Sequence, residues 1–125
     1  MVASLPPLVV CSSQSEALAK AGPNAIPVLG TGSMAPYIKK APAGSDPMKT
    51  VMAYVVAGSR GYNDIQKGDL VIYRADWAHG NVIHQAAQKD SGGWIMTGLN
   101  NAQSESFARV TPDGFICVIS TTYTW

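Results

Sequence analysis

A chain of 125 residues is long enough for one domain with an ordinary hydrophobic core. Its 46% hydrophobic and 14% charged residues exclude wholesale disorder. A net charge of +1, with the cations scattered, excludes the basic footprint of a nucleic-acid binder. No run approaches the roughly 20 apolar residues of a membrane span. "MVASLPPLVVCSS" lacks a basic leader, and its apolar run is too short for a signal peptide. The expectation is a soluble, cytoplasmic protein with no membrane span.

Residues 1–25 read as an N-terminal extension, and residues 26–125 as a β domain. The extension carries the one plausible helix, "SQSEALAKAG" from Ser13 to Gly22, which opens on capping serines and stops at Gly-Pro. "PNAIPVLG" follows, held extended by two prolines. The segment "KKAPAGSDPMKT", residues 39–50, reads as a surface loop. Beyond it come strand-like runs: "TVMAYVVAG", "DLVIYRA", "GNVIHQAA", "GGWIMTG", "FARVT" and "FICVISTTYTW". "KDSGG" marks a hairpin between the third and fourth of these, and "PDG" turns into the last. Five or six short strands at this spacing predict a mostly β fold, a small barrel or folded-over sheet, with one short N-terminal helix.

Cys11 and Cys117 lie near opposite ends with no metal-ligand spacing, and read as free thiols rather than a disulfide. No His-x-x-x-His or carboxylate cluster marks a metal site, and "GTGSMAP" lacks the lysine and spacing of a phosphate loop. What stands out is Ser33 in "GTGSMAPYI", a serine flanked by glycine in a loop. A serine hydroxyl is a poor nucleophile until a base takes its proton. Period-two alternation places His84 with Val82 and Ala86 on one side of a strand, where it is either a packed core histidine or that base. His79, in "DWAHGN", sits at a turn. Ser33 itself is either turn chemistry or a presented nucleophile.

Three segments, in order, resemble the signal peptidase I and LexA-type serine peptidase superfamily. "TGSMAPYI" resembles its Ser-Met-x-Pro box, and "YNDIQKGDLVIYR" its Gly-Asp strand. "GNVIHQAAQKDSGGWIMTGLNN" resembles its base-bearing strand and the hairpin after it. The resemblance covers roughly residues 26–119 and is closest to the Ser-His forms of the endoplasmic reticulum and archaea, without their membrane anchor.

The resemblance implies a LexA- or signal-peptidase-like sheet and a serine endopeptidase that cuts an extended peptide after a small residue. Ser33 is then the nucleophile and His84 the base. Thr31 and the Ser33 backbone N–H bind the oxyanion, Met34 shapes the substrate cleft and Pro36 fixes the turn. The family's Asp is Leu99 here and its Arg is Gln85, so Glu105 is the candidate to orient His84. No cofactor and no metal are implied. The implied partner is a peptide or protein substrate, with the chain's own Ala21-Gly22 bond as one candidate. Leu99 and Gln85 favour a second reading, a peptidase-fold module that holds a peptide or partner protein in the same groove without turnover. Gly68 and Asp69 are expected to build a tight turn, with the Asp carboxylate bonded to nearby backbone N–H groups.

Overall fold

A computed structural model of the chain describes residues 5–32, 34–35, 37–75, 80–98 and 109–125. Seven strands form one sheet: β1 (Leu8–Val10), β2 (Ile26–Leu29), β3 (Val51–Ala57), β4 (Leu70–Ala75), β5 (Gly80–Asp90), β6 (Gly93–Thr97) and β7 (Phe115–Thr124). Among the described residues the single α-helix, α1, spans Gln14–Ala21. The chain is thus mostly β with one short N-terminal helix, as its sequence predicts. The sheet is open rather than closed, running β2-β3-β7-β4-β5-β6.

The helix forms where its end signals sit. The Ser13 side chain accepts from the Glu16 N–H at one end. At the other, Gly22 adopts φ 89°, and its N–H donates to Leu18 O. That positive φ is costly for any residue with a Cβ. Ala17, fully buried, packs the helix against Cys11 and Tyr54.

The long strand β7 organises the rest. Its first half pairs antiparallel with β4, from Phe115 to Val118, and its second half pairs antiparallel with β3, from Ile119 to Tyr123. Val118 marks the handover: it is opposite Val71 of β4, and its carbonyl accepts from the Gly58 N–H at 2.7 Å. Where β4 leaves off, β1 takes its place, pairing in parallel from Leu8↔Thr122 to Val10↔Thr124. The sequence offers no sign of β1, because three residues become a strand only through a remote partner. Conversely, "FARVT" contributes an isolated bridge, Val110 to Trp94, among its described residues.

At β4 both faces of the sheet are buried, so this strand reads apolar at nearly every position. Leu70 and Ile72 join a cluster with Val28, Met52, Val55, Cys117 and Ile119 on one face. Val71, Tyr73 and Ala75 join Ala86, Trp94, Met96 and Val118 on the other. A strand covered on both sides loses the polar half of its alternation. Both cysteines are free and buried in different clusters, and burial pushes the Cys117 thiol up from its ordinary pKa. Among the described residues, no helix is long and apolar enough to cross a membrane.

Candidate functional site

The segment that carries Ser33 is a loop pinched at its base. Gly30 N–H donates to Thr50 O, and Ala41 N–H donates to Gly30 O, both at 3.0 Å. A Cβ on Gly30 would lie 2.5 Å from Met52 Cγ and 2.6 Å from Ala41 N, so only glycine allows the two ends to approach this closely. Inside the loop Gly32 takes φ 91°, the left-handed region, with the Lys40 stem alongside. Ala35 N–H donates to Gly32 O at 3.2 Å and Ile38 N–H to Met34 O at 3.0 Å. Met34 and Ile38 are buried in the first cluster, which includes Ile72 of β4 and, at its margin, Ile83, which precedes His84 in β5 and points to the opposite face of the sheet. Thr31 is exposed.

Ser33 and Pro36 lie outside the described residues, as do His79, Leu99 and Glu105. Of the expected site residues, the structure therefore places Thr31 and Met34 in one loop, with Met34 on the face of the first cluster, and His84 on β5 with its side chain on the other face; it does not bring Met34 and His84 together.

His84 is 6% exposed. Pairing of β4 with β5 sets His84 opposite Val71 and Val82 opposite Tyr73. This puts the imidazole on the face of the second cluster, with Val82 and Ala86 as the alternation requires. The Tyr73 hydroxyl lies 3.4 Å from His84 Nδ1, and the two ring centroids are 6.5 Å apart in an edge-on arrangement. Tyr73 was not among the residues the sequence singles out. The signal that would have found it is register: two residues after the cross-strand partner of His84, Val71, lies a diagonal neighbour, within reach of an aromatic ring.

The turn before β4 is built as expected and then fastened further. Gly68 has φ 99°, and Asp69 Oδ2 accepts from the Gln66 N–H at 2.8 Å. Arg60 adds a two-pronged pair to the same carboxylate, with both bonds at 2.9 Å. Gly68 N–H donates to Ala86 O, Ala86 N–H to Asp69 O, and Gln85 Nε2 to Gly68 O. Gln85, standing where the resembling family carries arginine, thereby locks this turn onto β5 beside His84.

The Ala21-Gly22 bond closes α1, and its Gly22 N–H is spent on the helix cap. A peptide bound by strand addition must instead be extended. A cavity of about 280 Å³, lined by Pro6, Arg60, Asp69, Val118 and Ser120 among others, contains neither His84 nor the Thr31–Met34 loop. Among the described residues, no group of three or more His, Cys, Asp or Glu side chains is placed to hold a metal ion.

With this geometry in view, the chain was compared with known proteins: no family model, curated protein or solved structure matches it.

Proposed function

We propose that the chain is a serine endopeptidase in which Ser33 is the nucleophile and His84 the general base. The observation that carries this reading is His84 itself. It is an imidazole sunk in an apolar strand face with a hydroxyl against Nδ1, in a chain whose glycine-pinched loop bears the Ser-Met-x-Pro box. Burying an imidazole costs free energy unless its nitrogens are satisfied, and the Tyr73 hydroxyl faces one of them.

In the proposed reaction His84 takes the Ser33 Oγ proton as the oxygen attacks the carbonyl carbon of an extended peptide. The oxyanion forms against Thr31 Oγ1 and the Ser33 backbone N–H. One such donor contributes roughly a hundred- to a thousandfold in rate. His84 then returns the proton to the leaving amine, and water attacks the Ser33 ester to release the acid. No cofactor enters, because the dyad carries the proton both ways. A small residue precedes the scissile bond, by the resemblance.

Leu99 in place of the family's acid favours a second reading, a module that binds a peptide without cleaving it. The two part on covalent chemistry. A serine-reactive acylating probe should add its mass to the wild-type chain and not to Ser33→Ala. An unlabelled wild type that still binds peptide would leave the binding module as the function.

A further inference from the structure

We infer that Lys40 and Lys49 form a cationic rim beside the serine box and select peptides that carry carboxylates near the small residue. This deepens the proposed function and rests on Ser33 marking where the peptide lies.

Gly30 sets the rim. Its N–H donates to Thr50 O and its carbonyl accepts from Ala41 N–H, both at 3.0 Å. Lys40 precedes Ala41 and Lys49 precedes Thr50, so the backbone brings both lysines to the base of the serine loop. Lys40 comes closer still. A Cβ on Gly32, the residue before Ser33, would lie 3.3 Å from Lys40 Cδ, so the lysine stem runs along the box.

The segment between the two lysines is built rather than slack. Asp46 Oδ1 accepts from Met48 N–H at 2.9 Å. Asp46 O accepts from Thr50 Oγ1 at 2.8 Å and from Lys49 N–H at 3.0 Å. A peptide that docks here meets a loop already ordered, and less entropy is lost on binding.

Charge identifies the partner. Between Ile26 and Gly58 the sequence holds three lysines and one acid, Asp46. Lys39 is engaged with Trp125 O, while Glu16, Asp69 and Asp90 pair with cations elsewhere. Lys40 and Lys49 are exposed and have no side-chain partner among the described residues. Met48, 64% exposed beside Lys49, adds apolar surface for the stem of an incoming side chain. Two cations fall short of the roughly four to eight that mark an anionic-membrane site, and they make no nucleic-acid footprint. They suit an extended peptide, whose alternate side chains lie on one side. One carboxylate then faces Lys40 within a residue or two of the scissile bond, and a second faces Lys49.

The test is binding without turnover. A labelled peptide with a central Ala-Gly pair flanked by aspartates, and its copy with asparagines, would be titrated into the Ser33→Ala chain by fluorescence anisotropy. The acidic peptide should bind more tightly, and salt should shrink the difference. Adding Lys40→Gln or Lys49→Gln should each weaken it about two- to fivefold. Lys40→Glu should invert the preference, and Lys20→Gln, a cation already paired on α1, should change nothing. Equal binding of the two peptides, binding of neither, or a preference that survives both lysine substitutions would overturn the inference. So would binding to phosphatidylserine vesicles without binding to the acidic peptide. Acylation of wild type is read separately. An unlabelled Ser33 with the acidic preference intact would defeat the peptidase reading and leave the rim to the binding module. A labelled Ser33 without that preference would defeat the rim alone.

Discussion

Tyr37 and Tyr73 both turn a hydroxyl into the interior, and the company each keeps differs. Tyr37 follows the serine box and donates to Pro6 O at 2.9 Å, with Thr122 Oγ1 at 2.8 Å on the same oxygen. Its hydroxyl ties the approach to β1, the second half of β7 and the loop together. Burial raises its pKa above the ordinary tyrosine value, opposed in part by the Thr122 contact. All partners there are uncharged and fixed, so the arrangement has one state. Tyr73 faces a histidine, whose proton can sit on either nitrogen. One tyrosine fastens the fold, and the other meets a group that changes state. A buried hydroxyl has structural value when its partner cannot titrate, and acquires chemical value when its partner can.

The largest expected effect lies on the reactive side of that comparison. If His84 is the general base proposed above, His84→Gln should slow acylation of Ser33 by roughly a hundred- to ten-thousandfold, measured by time-resolved intact mass. Tyr37→Phe should do the reverse. It leaves Pro6 O and the fully buried Thr122 hydroxyl short of a partner and costs about 1–3 kcal/mol in denaturant unfolding. The labelling rate of the folded fraction should be unchanged. An equal drop in both quantities for either variant would erase the distinction between the two sites.

Gly32→Ala sits between these regimes, because it strains the serine loop without touching the core. At φ 91° the substitution should cost about 1–2 kcal/mol and meet the Lys40 stem, read as a lowered unfolding midpoint.

The smallest effect belongs to the far hairpin, away from both tyrosines. Arg109 holds the Asp90 carboxyl below its ordinary pKa, helped by the Gly92 N–H. A depressed aspartate pKa adds stability that is present above the unfolded value and lost as pH falls through the folded one. Arg109→Gln should therefore be slightly less stable than wild type near neutrality. The gap should close as pH falls below the ordinary aspartate range, and salt should shrink it, since the pair is exposed.

Much of the local structure was legible in advance. Ser13 and Gly22 bracket α1 because capping is settled within one turn of backbone. The β5–β6 hairpin was readable from "KDSGG", where Asp90 Oδ1 accepts from Gly92 N–H and Gly93 takes φ 122°. His84 with Val82 and Ala86 on one face was readable because strand alternation has a fixed period. Ser33, Thr31 and His84 came forward for a different reason, a motif resemblance, which names residues and not their partners; of these the structure places Thr31 and His84.

What the sequence by itself determined about this protein is therefore whatever depends on neighbours along the chain: caps, turns, alternation and the mostly β class. The tertiary structure alone decided the rest. β1 exists because β7 offers it an edge, and β7 serves two partners because the sheet hands over at Val118. Gly30 is indispensable because Ala41 and Met52 converge on it, and Asp69 gains Arg60 from nine residues away. Tyr73 meets His84 because of strand register. Each of these is a contact between residues that no local rule of backbone geometry connects. Their free energy is realised only once the whole sheet has formed.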